Sequence, residues 1–245
     1  MKKALITGAN KSIGLEVARQ LLQKGFYVYL GSRDLKKGKE AAEQLQAEGL
    51  AHVEAIEIDV TDSESVKGAR EEIGKKTEVL DVLINNAGIT GGMPQKALEA
   101  TPEQFTAVFD TNVTGVARVT QAFIDLVKKS AEPRIVMVSS SQGSLTVAND
   151  PNSKYYHHKG AVYQPSKSAL NMYSLILAYE LRDTPVKVNM VDPGFTKTDL
   201  NNHRGTGTVE EAGARVVKYA LIGNDGPTGK YISEEFNPET EDIPW

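Results

Sequence analysis

The chain has no cysteine among its 245 residues, which removes disulfide bonds, thiolate nucleophiles and cysteine-held zinc together. Any chemistry must come from other side chains. An excess of positive charge is also lacking: 28 Lys and Arg stand against 32 Asp and Glu, a net charge of −4. Nothing is therefore available to hold a phosphate backbone non-specifically, and nucleic acid is not an expected partner. Long apolar runs are missing too. Met1-Lys2-Lys3 is followed by only Ala4-Leu5-Ile6, short of the roughly 7 to 15 apolar residues of a secretory leader, and no run approaches the roughly 18 that span a membrane. A soluble, cytoplasmic protein with no membrane partner is expected. What is present is ordinary for a folded globular protein, 40% hydrophobic and 24% charged residues. The length suits a single α/β domain, for which roughly 200 to 250 residues is a common size.

Short apolar runs recur along the chain at Ala4 to Ile6, Tyr27 to Leu30, Val53 to Ile58, Val79 to Ile84, Ile135 to Val138, Val186 to Val191 and Lys230 to Ile232. Between them lie apolar residues at helical spacing, such as Ile13, Val17 and Leu21, or Leu170, Tyr173, Leu177 and Leu181. Strands alternating with helices imply right-handed crossovers and a parallel sheet covered on both faces. The runs do not alternate cleanly between apolar and polar residues, as expected of strands buried on both sides. The fold class read from this pattern is α/β: a Rossmann-type doubly wound parallel sheet of about seven strands. The polar stretch Asp34 to Glu48 reads as a helix with a solvated face.

The first motif with chemical content is Thr7-Gly8-Ala9-Asn10-Lys11-Ser12-Ile13-Gly14, which leaves the first strand and enters the first helix. Glycines at such a turn let backbone amides approach a pyrophosphate, whose charge the positive end of the helix attracts. After the second strand comes Ser32-Arg33, roughly 20 residues on, where an acidic side chain accepts from the ribose of NAD and a cation accommodates the 2′-phosphate of NADP. Arg33, with Lys11 as a second cation, favours NADP(H) over NAD(H). Two alternatives stay open: both cations face water, or the neighbouring Asp34 accepts from a ribose.

With these motifs in order, the sequence resembles the short-chain dehydrogenase/reductase family almost end to end, and its last third looks like the carbonyl reductases. The resemblance is carried by Thr7 to Gly14, Asp59-Val60, Asn85-Asn86-Ala87-Gly88, Asn112, Ser140, Tyr163 with Lys167, and Pro193-Gly194. It implies that Gly8, Asn10, Lys11, Ser12, Ile13 and Gly14 line the cofactor, that Asp59 and Val60 flank the adenine, and that Asn85, Asn86, Ala87 and Gly88 wall the site. Pro193, Gly194, Thr196 and Thr198 would meet the nicotinamide and its phosphate. It further implies reduction of a ketone or aldehyde, or the reverse oxidation of an alcohol, with Asn112, Ser140, Tyr163 and Lys167 catalytic. A homo-oligomer through the helices carrying Asn112 and Tyr163 is also compatible with it.

Spacing gives the catalytic set a physical sense. Tyr163 and Lys167 are four apart and share one helix face. A free phenol has a pKa of about 10, so a close ammonium is expected to lower it, each unit corresponding to about 1.4 kcal/mol. Tyr163 is then acid in reduction and base in oxidation, with Lys167 as its electrostatic partner and ribose ligand. Ser140, at a strand's carboxyl end, is expected to donate to the carbonyl oxygen, although Ser139 and Ser141 adjoin it. In a helix from about Pro102 to Val127, Asn112 interrupts the apolar stripe of Phe105, Val108, Phe109, Val116 and Phe123. A buried unpaired amide costs about 1 to 3 kcal/mol, so partners are expected. The family resemblance implies that it holds a water in a proton relay to Lys167, and a helix-bending role is the alternative.

Two departures from the family pattern stand out. Ser12 occupies the place of a middle glycine, bringing a side chain close to the helix start. The segment 141–162 is longer than most of the family uses, and its aromatics, Tyr155 and Tyr156, are expected to border the substrate. Adjacent histidines diverge on most backbones, so His157-His158 is not expected to hold a metal. Trp245 packs either on the domain or on a neighbour.

Overall fold

The computed structural model describes residues 1–92 and 94–245. Its strands are β1 (Lys3–Ile6), β2 (Tyr27–Ser32), β3 (Val53–Glu57), β4 (Val82–Asn85), β5 (Arg134–Val138), β6 (Lys187–Val191) and β7 (Tyr231–Ile232). They form one seven-stranded parallel sheet in the order β3-β2-β1-β4-β5-β6-β7. Successive side chains alternate between faces, and here both faces are dry. Leu5, Leu83 and Met137 enter one core with Phe123, while Ala4, Ile6, Ile84 and Val136 enter the other with Val17 and Leu21.

The covering helices are α1 (Ser12–Gln23), α2 (Leu35–Ala47), α3 (Ser63–Lys76), α4 (Pro102–Phe109), α5 (Gly115–Val127), α6 (Leu145–Asn149), α7 (Tyr163–Glu180) and α8 (Val209–Ala220). Their starts follow local chemistry. Asp34 caps α2 by accepting from the Lys37 N–H at 3.2 Å. Thr101 with Gln104, and Thr208 with Glu211, form reciprocal capping boxes at α4 and α8. Among the described residues no helix is long and apolar enough to cross a membrane.

Two expectations differ from what is observed. The strand expected from Val79 begins at Val82, since Leu80 gives its N–H to Leu126 of α5 at 3.2 Å and so is committed to a helix. The helix expected from Pro102 to Val127 is divided by a wide π turn, Asp110–Thr114, centred on Asn112. Such single-turn widenings are frequent at functional sites. The sheet order reverses between β1 and β4, and at such a switch point the carboxyl ends of the strands open a crevice for ligands.

Candidate active site

Two adjoining clefts occupy that crevice. The smaller, about 360 Å³, is walled by the β1–α1 turn from Gly8 through Gly14, by Arg33, by Asp59 and Val60, and by Asn86, Ala87 and Gly88. The turn lies tight against its neighbours because it lacks bulk: a Cβ on Gly14 would come within 2.5 Å of the Gly8 carbonyl oxygen and 2.6 Å of the Asn86 amide. That amide donates to the carbonyls of Thr7 (2.9 Å) and Gly8 (3.0 Å), and the Thr7 hydroxyl accepts from the N–H groups of Asn86 and Ala87 at 3.0 and 3.1 Å. The turn and the β4 end are thus one rigid wall. Ser12 sits in it with φ of +51°, the left-handed conformation that costs a side-chain-bearing residue roughly 1 to 2 kcal/mol.

Charge on this side is ordered. Burial opposes ionisation of Asp59, but the Thr61 hydroxyl and N–H, helped by Arg33 and Arg118, hold its carboxyl below the usual range. Arg33 is exposed on the cleft wall. Lys11 is held by Asp199 at 2.7 Å. Asp34 caps α2 through one of its carboxylate oxygens.

The larger cleft, about 1070 Å³, is bounded by residues of the segment 141–162, by Thr90 and Pro94 to Ala97, and by the turn after β6 that carries Pro193 to Thr196 and Thr198. Tyr163 lies on the wall common to both clefts, Lys167 on the smaller side and Ser140 on the larger. The Ser140 hydroxyl faces the Tyr163 phenol. Ser139 and Ser141 also line the larger cleft, but the Ser139 hydroxyl is engaged, donating to Asn171 at 2.6 Å. Lys167 is buried, with its ammonium donating to the Val138 carbonyl at 2.8 Å and lying 5.8 Å from the Tyr163 ring centre. A Cβ on Gly88 would stand 3.8 Å from that ammonium, so Lys167 reaches the cofactor-side wall.

Protonation states follow from burial. Burial pushes the Tyr163 phenol up to about 12, the Ser140 hydroxyl pulls it down, and the Asp192 carboxyl pushes it further up. Burial also draws the Lys167 ammonium down to about 8, against the attraction of Asp192. In the protein alone, burial therefore favours the protonated phenol.

Asn112 is fully buried in the π turn. Its oxygen accepts from the Ile89 N–H at 2.9 Å, and its amide donates to the Ile89 carbonyl (2.9 Å) and the Ser166 hydroxyl (3.0 Å). Ser166 in turn donates to the Tyr163 carbonyl at 2.6 Å. The amide is a tie between the cofactor-side wall and the start of α7. Not every expected residue lines a cleft. Asn85 turns away, donating to the Thr120 hydroxyl at 3.1 Å, while Gly194 and Thr196 line the larger cleft, with Pro193 and Thr198 on both.

Three contributors carried no sequence signal. Gln95 accepts from the Tyr163 N–H at 3.0 Å and so seats the first turn of α7. Asp192 is a buried carboxyl accepting from Ser233 at 2.6 Å and from the Gly194 N–H at 3.1 Å, and burial pushes its pKa up. Glu235 binds the far wall of the larger cleft. A lone Gln or acid in a loop resembles any solvated side chain until its partners are known. Trp245 packs within the chain, its ring 5.4 Å from Tyr231.

The fold agrees with what the chain is similar to. The short chain dehydrogenase family profile matches residues 2–208. (+)-Neomenthol dehydrogenase of Capsicum annuum is 32% identical, with 94% of each chain covered. Among solved structures, salutaridine reductase from Papaver somniferum has a TM-score of 0.82 at 30% identity, covering 94% of this chain and 99% of that one. NADPH-bound carbonyl reductase from chicken fatty liver has a TM-score of 0.84 at 25% identity, covering 100% and 99%. The chain belongs to the short-chain dehydrogenase family and is an oxidoreductase of that family.

Proposed function

We propose that the protein is an NADP(H)-dependent reductase of a ketone or aldehyde, reversibly an alcohol dehydrogenase. The observation that carries this reading is the position of Tyr163, on the wall shared by the two clefts, with Lys167 on one side of it and Ser140 on the other. The smaller cleft suits a dinucleotide: free of bulk at Gly14, rimmed by amides at a helix start, and bearing Arg33 where a 2′-phosphate would lie. NADP-bound and NADPH-bound relatives of this fold support the same choice. When bound, the cofactor supplies a hydride to the carbonyl carbon.

The chain's own residues do the rest. Ser140 donates to the carbonyl oxygen as negative charge gathers there. Tyr163, protonated near neutrality, gives that oxygen its proton and regains one from solvent. Lys167 places an ammonium beside the nascent tyrosinate and toward the ribose side. Asn112 and Gln95 keep α7 in register with the cofactor-side wall. Exposed Met172, Ile176 and Tyr179 on α7 are compatible with a homo-oligomer. The test is oxidation of NADPH, against NADH, by the purified protein over a panel of aldehydes and ketones. NADPH-selective turnover supports the reading, and no turnover with either cofactor in either direction overturns it.

A further inference from the structure

The far wall of the larger cleft is assembled from three stretches distant in sequence. Tyr155, in the segment 141–162, and Phe195, in the turn after β6, both line it. Glu235, in the stretch after β7, joins them. One carboxylate oxygen accepts from the Tyr155 hydroxyl at 2.7 Å and from Lys154 at 3.3 Å, and the other accepts from the Phe195 N–H at 2.6 Å. Although burial opposes its ionisation, these donors hold the carboxyl below the usual range.

The turn after β6 is shaped to receive this group. Gly194 has φ of +83°, and a Cβ there would meet the Glu235 oxygen at 2.5 Å and the Arg215 guanidinium at 2.3 Å. Arg215 grips the same turn by donating to the Pro193 carbonyl at 2.8 Å. Only a residue without a side chain lets a carboxylate and a guanidinium close on the backbone from behind. The turn also bears Pro193 and Thr198, which face the smaller cleft. A displacement at Glu235 therefore reaches both clefts.

We infer that Glu235 is a positioning residue that sets substrate selectivity by clamping the Tyr155 wall to the turn at Phe195. It touches no reacting atom. Its carboxylate fixes the distance between the aromatic wall of segment 141–162 and the turn bordering the cofactor, and hence the width offered to a bulky carbonyl compound. A small carbonyl that reaches Ser140 and Tyr163 without leaning on that wall does not depend on it. The assignment of substrate to this cleft rests on the proposed reductase activity, whereas the mechanical coupling does not.

The test joins kinetics to hydrogen exchange on the full chain, using Glu235→Gln, Glu235→Ala and Tyr155→Phe. The last removes a single hydroxyl and guards against misfolding. Loss of hydrogen bonds to a charged acceptor is expected to raise KM for a bicyclic or larger ketone by about 10-fold or more. The ratio of kcat/KM for that ketone to kcat/KM for a short aliphatic aldehyde should fall with it, whatever change the two substrates share, and Glu235→Gln should keep part of the wild-type selectivity. Exchange should quicken in 153–160 and 194–206 together, including in Tyr155→Phe, whose altered side chain lies in only one of those segments. Quickening of 153–160 alone in Tyr155→Phe, or an unchanged ratio of large to small substrate in all three variants, overturns the clamp. Coupled exchange with no turnover of either carbonyl, even by wild type, overturns the reductase reading and the selectivity role while leaving the coupling established.

Discussion

The two clefts are built on different principles. The smaller is mostly backbone: a glycine turn, the carboxyl ends of β1 to β5 and an Asn86 amide stitching Thr7 to Gly8. The larger is mostly side chains, brought together from segments far apart and held by buried Gln95 and Asp192 and half-buried Glu235. A cofactor is the same for every turnover, and a wall of fixed amides suits it. A substrate differs from enzyme to enzyme, and a wall of exchangeable side chains can change without disturbing the sheet.

Tyr163, common to both, gives the sharpest test of that division. Tyr163→Phe should lower kcat by about 10²- to 10⁴-fold, the usual contribution of a positioned general acid, while the NADPH dissociation constant from fluorescence titration stays close to wild type. A parallel loss of NADPH binding would mean that the tyrosine serves the cofactor wall instead. Arg33→Ala should weaken NADPH by about 10- to 100-fold, the range of a lost charge-assisted contact, and leave NADH almost untouched. Equal losses for both would remove the 2′-phosphate assignment.

The pH profile probes the side-chain-rich half. With Tyr163 raised to about 12 and Lys167 lowered to about 8, the phenol stays protonated through neutrality and the ammonium is lost as pH climbs past about 8. kcat/KM for reduction should therefore be level below that point and decline above it, by up to about 10-fold per pH unit. For stability the sign is the reverse. Lys167 binds its proton less readily folded than unfolded, so its burial is a cost felt fully below about pH 8 and relieved as pH rises toward the ordinary lysine value. Urea titrations at about pH 7 and about pH 9 separate the two trends. The smallest expected effect lies in the backbone-rich half: Ser12→Gly should raise stability by about 1 kcal/mol by relieving the left-handed conformation. An unchanged melting temperature would show that the Ser12 side chain makes a compensating contact.

How far the sequence could be read follows the same division. The strands, the glycine turn and the Tyr163–Lys167 spacing are local patterns, and they were legible because a strand–turn–helix writes its requirements into consecutive residues. Asn112 was visible as a polar break in an apolar stripe, yet its partners Ile89 and Ser166 were not, because only the folded chain brings them within 3 Å. The burial of the Tyr163 phenol was out of reach for a related reason, since spacing reveals a nearby cation but not how much water folding removes. Glu235 is the extreme case, an acid in an acid-rich stretch whose three donors all come from elsewhere in the chain.

The π turn at Asn112 has a consequence for how this helix tolerates change. A widened turn accommodates one extra residue, and each residue of an α-helix turns the chain by about 100°. Deleting a single residue between Asp110 and Thr114 would tidy the turn into regular helix while rotating Val116, Val119 and Phe123 away from the core they fill relative to Val108. The apparent irregularity is the phase correction that lets one long helix serve two neighbours, and shortening it would do more harm than most substitutions within it.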